Sequence, residues 1–175
     1  MKKVLLLCVF VLGALTCSAQ KAKSFYYDGI ELHNVKGWQI TPSKDDGKTT
    51  IIRLSFGGFY TMVITKRSAP QHMNAETVLT KVAESIVETN MRISGRKTPK
   101  IKDTSSVMEG FINNIPAKYI DINYTKGLLD RIYVMTVHNC LITVQHTGDS
   151  KATKVFDKIL STFTFNPETD TYRLF

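Results

Sequence analysis

The sequence predicts an α+β fold in which a mainly antiparallel β-sheet of about six to seven strands is covered by two helices. Short runs rich in β-branched and aromatic residues are separated by two-residue turn signals, which is typical of β-hairpins. Two other segments repeat their apolar residues at helical spacing, one in the middle of the chain and one near its end. No strand–helix–strand unit repeats, so a parallel sheet is not expected.

Four strand-like runs precede the first helix. The second run ends at Pro42 and is followed by a polar turn. Gly57-Gly58 separates the third and fourth runs, and two glycines supply the positive φ angles that a tight hairpin turn demands. The runs cover residues 25–32, 38–40, 49–56 and 59–66.

An amphipathic helix is predicted from Asn74, a favourable N-cap residue, to the region of Asn90. Its apolar residues recur at helical spacing, while charged and polar residues occupy the other side. The apolar positions are Val78, Leu79, Val82, Ile86 and Val87. Residues 92–102 follow with Gly95, Pro99 and a set of basic side chains, so we expect an exposed loop there.

The next part of the chain predicts an antiparallel meander of four strands. The strands are expected at residues 104–112, 115–124, 128–138 and 141–146. If Asn139-Cys140 forms the last turn, Val137 faces Ile142 and Met135 faces Val144. This register gives one continuous apolar face, which marks the core side of the sheet.

A second amphipathic helix closes the chain. Asp149 or Ser150 is suited to cap it, and the residues that follow are apolar at helical spacing. The apolar positions are Val155, Phe156, Ile159, Leu160 and Phe163. Because an apolar stripe must be buried, we expect this helix to pack on the sheet.

Residues 1–19 have the pattern of a cleavable signal peptide, with Lys2 and Lys3 before an apolar run and small residues up to Ala19. The run over residues 4–15 is shorter than the roughly 20 residues that cross a bilayer, so no transmembrane anchor is expected. Cleavage after Ala19 leaves residues 20–175 as a single α+β domain in the periplasm or outside the cell. The alternative is that Cys17 becomes the lipidated first residue of a lipoprotein.

Charge and cysteine content restrict the function further. The formal net charge is +8, which favours anionic surfaces such as phospholipid headgroups or polyanions. Loss of residues 1–19 removes Cys8 and Cys17, so Cys140 has no cysteine within the domain to form a disulfide with. We therefore expect Cys140 to act as a small apolar residue in or beside a strand.

Three segments resemble a known superfamily. They are the Gly37-Trp38 pair, the Pro116-Ala117-Lys118-Tyr119 segment of the meander and the run VFDKILSTF at residues 155–163. The layout is similar to the PsbP/Mog1-like superfamily, especially its DcrB-like bacterial envelope members, over nearly all of residues 20–175. This resemblance implies an α/β/α sandwich and non-enzymatic accessory or binding roles, and it brings no catalytic residues.

The residues themselves give no catalytic, metal or cofactor signature. The chain has no nucleophile elbow, Walker loop or dinucleotide fingerprint, and its histidines lack the spacing of a zinc hydrolase. We therefore predict no enzyme activity, no cofactor and no metal. The alternative is a small-ligand-binding protein or envelope enzyme whose pocket combines distant residues. The candidates for that pocket are Glu109, Tyr133, His138 and His146.

The function predicted from the sequence is a binding or accessory module for a protein partner in the cell envelope, with a homodimer as a further alternative. An aromatic set and a basic set are the candidate surfaces. The aromatic set is Tyr26, Tyr27 and Tyr60, and the basic set is Arg92, Arg96, Lys97, Lys100 and Lys102. No aromatic residue is interleaved with the basic set, so nucleic-acid binding is not expected.

Overall fold

The computed structural model describes residues 24–45, 48–57, 60–69, 74–93, 99–167 and 173–174, which form two β-sheets and two α-helices. The strands are β1 Ser24–Tyr27, β2 Ile30–His33, β3 Gln39–Asp45, β4 Thr49–Phe56, β5 Tyr60–Ser68, β6 Ile101–Thr104, β7 Met108–Ile112, β8 Ile115–Tyr124, β9 Leu129–Val137, β10 Cys140–Gly148, β11 Thr164–Phe165 and β12 Arg173–Leu174. The helices are α1 Ala75–Ile93 and α2 Ser150–Leu160. The predicted signal peptide lies outside the described residues.

The main sheet contains eight strands in the order β3-β4-β5-β10-β9-β8-β6, with β7 also paired to β8. Every pairing in it is antiparallel. Strands β6 and β7 pair with opposite halves of β8, so the sheet is seven strands wide. The predicted α+β class and mainly antiparallel sheet are confirmed.

A second sheet, in the order β11-β2-β1-β12, contains the hairpin of β1 and β2. The predicted single strand over residues 25–32 is wrong, because Asp28-Gly29 turns the chain with φ angles of 49° and 83°. A side chain at Gly29 would place its Cβ 2.4 Å from the carbonyl oxygen of Asn166. Glycine is therefore required both by the turn and by the close approach of the chain.

The register between β9 and β10 differs from the prediction by two residues. The turn consists of His138 and Asn139, both at positive φ, and Ile142 pairs with Met135 rather than with Val137. Cys140 accordingly begins β10 and is half-buried with a free thiol. Because side chains alternate with a period of two, a shift of two residues leaves the predicted apolar face intact.

Helix α1 covers one face of the main sheet. The Asn74 Oδ1 atom accepts a hydrogen bond of 2.9 Å from the Glu76 amide, which confirms the predicted N-cap. Leu79 and Ala83 are buried against β8 and β9, where Ile122 and Ile132 belong to the same cluster. The helix extends three residues beyond the predicted end, to Ile93.

The structure after α1 differs from the prediction in where the loop ends and the next strands begin. Residues 94–98 lie outside the described part of the chain, and Ile101–Thr104 is strand β6 rather than the end of a loop. Ile101 packs partly buried against the cluster under α1, and this burial favours a strand over an exposed loop. The next strand then begins at Met108 rather than at residue 104.

The opposite face of the main sheet carries α2 and the second sheet. Asp149 caps α2 by accepting hydrogen bonds from the Lys151 and Ala152 amides, at 3.0 and 2.9 Å. The core on this side combines Phe156 of α2 with Phe25 of β1 and Ile64 of β5, all fully buried. Trp38 lies 5.7 Å from Phe156 between ring centroids. Neither described helix is long and apolar enough for a membrane crossing.

Asp28 joins the second sheet to the main sheet. Its carboxylate lies 2.5 Å from Lys66 Nζ and 3.6 Å from Lys44 Nζ, and it accepts a hydrogen bond from the Thr50 hydroxyl. Burial raises the pKa of Asp28, but the hydrogen bonds from Lys66 and Thr50 and the two lysine charges outweigh it, so the pKa lies below the ordinary 3.8. The β1–β2 turn is thereby held on strands β3, β4 and β5.

We expect Asp28→Asn to lower the free energy of unfolding by about 2 kcal/mol near neutral pH, because Lys66 loses a charged hydrogen bond and Lys44 loses an ion pair. Asparagine also tolerates positive φ, so the turn itself is conserved. Since the folded-state pKa is depressed, the advantage of the wild type is complete above 3.8 and disappears as the pH falls below that value. Urea unfolding at neutral and acidic pH measures it. The control Asp45→Asn, at an exposed strand end, changes stability by less than about 0.5 kcal/mol.

Candidate functional site

Helix α1 leaves part of its sheet face uncovered. A helix with its side chains is about 10 Å wide and neighbouring strands lie about 4.8 Å apart, so one helix covers about two strands. Helix α1 packs on β8 and β9. On the same face, β10, β5, β4 and β3 continue the sheet beyond the helix.

A groove of about 570 Å³ runs between α1 and the neighbouring strands β5 and β10. We call it the helix groove. It is lined by Arg67, Asn74, Thr77, Val78, Lys81, Val82, Ser85, Ile86 and Gln145. Seven of these nine residues lie on α1 or at its N-cap, and the other two lie on the sheet, so the groove follows the helix axis.

The helix wall of this groove is apolar. Val78, Val82 and Ile86 lie one helical turn apart and are half-buried, with one side packed against the cluster under α1. The sheet wall is polar, because the sheet residues that line the groove are Arg67 of β5 and Gln145 of β10. The helix groove thus joins an apolar ridge on α1 to a polar wall on β5 and β10.

The charged residues that line the helix groove are cationic. Arg67 and Lys81 line it on opposite walls, and no carboxylate is among the described residues that line it. The acidic residues of α1, Glu76, Glu84 and Glu88, are exposed outside the groove. A ligand that lies in the helix groove therefore meets a positive potential beside an apolar surface.

The aromatic set does not form one exposed surface. Tyr60 is half-buried between Phe56 and Phe156, with ring centroids 6.5 and 6.3 Å away. Tyr27 packs partly buried against the core, and Tyr26 is half-buried on the alternate side of β1. Tyr27 and Tyr60 therefore extend the packing of the core on the α2 side of the main sheet, and Tyr26 lies apart from them.

The described members of the basic set lie together at one end of the molecule. Arg92, Lys100 and Lys102 are exposed there, beyond the C-terminal part of α1 and along β6. Arg96 and Lys97 lie outside the described residues. These three exposed side chains are separate from the helix groove, and their role as a binding surface stays a prediction.

The four residues predicted to share a pocket are divided between different places. Tyr133 and His146 come together, with ring centroids 6.2 Å apart. Glu109 pairs with Lys118 at an exposed edge, and strand alternation directs it to the α1 face, opposite Tyr133. His138 lies in the β9–β10 turn against Phe165. The predicted pocket is therefore corrected to Tyr133 and His146.

The structure adds charged residues to that pair. Arg131 forms two hydrogen bonds to the Asp121 carboxylate, at 2.7 and 2.8 Å, and lies 4.9 Å from the Tyr119 ring centroid. Tyr133 and Asp157 line a cleft of about 390 Å³ on the α2 side. We call Asp121, Arg131, Tyr133, His146 and Asp157 the polar cluster. The sequence predicted Tyr133 and His146 of this cluster and missed Arg131 and Asp157, because their position depends on the register of three strands and on the packing of α2.

Burial is the largest influence on the ionisation of Tyr133, Asp157 and His146. It raises the pKa of Tyr133, and it raises the pKa of Asp157 against the opposing charge of Arg131. His146 is stacked on Phe156 at 4.4 Å, and burial, with a smaller effect from Arg131, lowers its pKa to about 4. Among the described residues its Nε2 atom has no hydrogen-bond partner. The imidazole is therefore neutral at physiological pH.

We expect acidification to destabilise the protein through His146. Between its ordinary pKa of 6.5 and about 4, the unfolded chain binds a proton that the folded protein excludes. From about pH 7 to about pH 5, the wild type should lose about 2 kcal/mol of unfolding free energy more than His146→Phe does. Urea unfolding at both pH values measures the difference. Substitution of the exposed His138 by glutamine should leave the acid sensitivity in place, and equal sensitivity of His146→Phe would contradict the assignment.

Comparison with known proteins supports the fold. No family model matches the chain, and no curated protein matches it. The solution structure of cyanobacterial PsbP (CyanoP) from Synechocystis sp. PCC 6803 matches with a TM-score of 0.54 at 16% identity, covering 82% of this chain and 94% of that chain. A crystal structure from Bacteroides thetaiotaomicron VPI-5482 has a TM-score of 0.48 at 8% identity, covering 83% of this chain and 49% of that chain. The predicted likeness to PsbP is confirmed at the level of the fold: the chain has a PsbP-like fold.

Proposed function

We propose that this protein is a non-enzymatic binding module that holds a protein partner in the helix groove. The observation that carries the proposal is the position of Val78, Val82 and Ile86, which form a half-buried apolar ridge beside a part of the sheet that neither described helix covers. Apolar surface that stays accessible next to polar walls is typical of protein-binding grooves. The PsbP-like fold is compatible with an accessory role and leaves the partner open.

The partner that best fits the groove is an amphipathic segment with acidic residues. Its apolar side chains would pack along the ridge of α1, which repeats every helical turn. Its carboxylates would face Lys81 and Arg67, the cations on the two walls. The side-chain amide of Gln145 would form hydrogen bonds with the polar side of the segment.

The walls of the groove are set before any partner binds. Leu79 and Ala83 fix α1 on the sheet from its buried side, and the β5–β10 pairing continues over eight residue pairs. Little conformational entropy is then lost by the protein on binding, and this preorganisation favours affinity.

The site of action that we propose is the bacterial cell envelope. The support is the leader pattern of residues 1–19, which predicts export and cleavage after Ala19 into the periplasm or beyond the cell. The mass of the protein recovered from an expressing bacterium tests both predictions: a chain beginning at Gln20 supports simple cleavage, and a lipid-modified chain beginning at Cys17 supports the lipoprotein alternative.

A second candidate function is the binding of a small ligand at the polar cluster. The observation in its favour is that Tyr133 and Asp157 line one cleft, with Arg131 close enough to influence both pKa values. A thermal-shift screen of small hydroxylated and charged compounds tests it. A stabilising compound whose effect is lost in Tyr133→Phe supports this function, whereas no stabilising compound counts against it.

We expect a photo-crosslinking amino acid placed at Ser85, in the helix groove, to capture one protein in the envelope of cells. The control is the same residue at Thr80, which is exposed on another side of α1 and does not line the groove. Lys81→Glu should reduce the Ser85 adduct about ten-fold, because one favourable charge becomes repulsive toward a carboxylate. The measurement is the adduct yield by immunoblot and mass spectrometry.

Three outcomes would contradict the proposed partner. Equal adducts from Ser85 and Thr80 would show non-specific contact rather than a groove ligand. An adduct of twice the chain mass, composed of this chain alone, would identify a homodimer. If Lys81→Glu leaves the adduct yield unchanged, the partner does not place acidic residues against Lys81.

A further inference from the structure

The end of the molecule beyond the C-terminus of α1 concentrates positive charge from three separate segments. Arg92 lies in the last turn of α1, Lys100 and Lys102 lie before and within β6, and Lys126 lies in the turn between β8 and β9. All four side chains are exposed. We call these four residues the basic end.

Hydrogen bonds fix these segments next to one another. The Asn90 side chain donates a bond of 3.0 Å to the Pro99 carbonyl, which ties α1 to the segment before β6. The Lys100 amide donates to the Thr125 hydroxyl at 3.1 Å, and the Thr125 amide donates to the Lys100 carbonyl at 2.8 Å. Lys102 and Lys126 line one surface depression of about 550 Å³. The basic end is therefore a single surface.

Cations outnumber carboxylates on this surface. Glu88 lies 3.7 Å from Arg92, but both side chains are largely exposed, so water screens the pair. Asp103 lines the same depression as Lys102 and Lys126, and its Oδ1 atom accepts a hydrogen bond of 2.5 Å from the side-chain Nδ2 of Asn123. In the described part of this surface, the exposed carboxylates of Glu88 and Asp103 stand against four exposed cations, so its net charge is positive.

An exposed apolar side chain accompanies the charges. Met91, beside Arg92 in the last turn of α1, is 71% exposed. A flexible thioether can enter the headgroup region of a bilayer at little conformational cost. Basic side chains around an apolar one are the combination with which peripheral proteins contact anionic membranes.

We infer that the basic end binds the surface of an anionic phospholipid membrane. A headgroup layer presents phosphates at many positions, so it suits lysines that act as flexible point charges and form no rigid pocket. Bound in this way, the molecule places α1 with its C-terminus toward the membrane. The helix groove then lies along the side of the molecule, accessible to a partner. This inference does not depend on the function proposed for the groove.

Co-sedimentation with phospholipid vesicles tests the inference. The protein should bind vesicles with about 30 mol% phosphatidylglycerol in phosphatidylcholine, and should be released between about 50 and about 500 mM NaCl. Its binding to vesicles of phosphatidylcholine alone should be at least ten-fold weaker, because the surface cations then lose their attraction to an anionic lipid. The variant Lys100→Gln/Lys102→Gln/Lys126→Gln should lower the partition coefficient about a hundred-fold, since each lysine contributes roughly five-fold.

The matched control is Lys36→Gln/Lys48→Gln/Lys158→Gln, which removes three exposed lysines elsewhere. It should lower the partition coefficient less than about three-fold, since these positions act only through net charge. The N-terminal residues are the same in all variants and contribute equally, and equal unfolding temperatures exclude a folding defect. Equal losses in the two triple variants, or equal binding to both vesicle types, would overturn the inference.

Substitution of Met91 by serine separates insertion from charge attraction. We expect Met91→Ser to weaken binding to the anionic vesicles by about five-fold, because a buried apolar side chain is lost from the interface. The salt dependence should be unchanged, because no cation is removed. An unchanged partition coefficient would exclude Met91 from the contact.

Discussion

The main sheet is wider than one helix, and this difference determines how much of the α1 face of the sheet stays exposed. A helix covers about two strands, whereas the sheet is seven strands wide, so a face protected by one helix must remain partly open. Helix α1 lies on β8 and β9, and the open part begins at β10. The flank of α1 toward the open strands keeps Val82 and Ile86 half-buried, and these side chains form the ridge of the helix groove.

The other face of the main sheet is covered by two elements instead of one. Helix α2 covers part of it, and the sheet of β1 and β2 lies beside the helix, held down by Asp28 on Lys66 and Thr50. Phe25 and Phe156 complete one continuous core under both elements. His146 is enclosed on this side: burial lowers its pKa to about 4, and among the described residues its Nε2 atom has no hydrogen-bond partner. One face of the sheet therefore mainly supplies stability, and the other offers accessible surface for binding.

The sequence predicted most of the secondary structure because apolar periodicity and capping are local signals. It missed the turn at Asp28-Gly29, where a tight hairpin interrupts what reads as one strand, and it placed the β9–β10 turn one residue late. The helix groove was beyond prediction, since it exists only because β10 lies between β5 and β9. The polar cluster likewise requires the pairing of Asp121 with Arg131 across β8 and β9. Local sequence patterns therefore predict individual helices and strands, whereas sites that combine residues of distant strands depend on the topology of the sheet.

Methyl NMR spectroscopy tests the central claim, that the open face beside α1 is the binding surface. The protein, labelled at valine and isoleucine methyl groups, is titrated with a detergent-free extract of its native envelope and with the same extract after protease treatment. Binding in the groove should shift or broaden the signals of Val78, Val82 and Ile86, while those of Ile40 and Val155 on the opposite face stay in place. Changes confined to Ile40 and Val155, or no difference between the two extracts, would contradict the account.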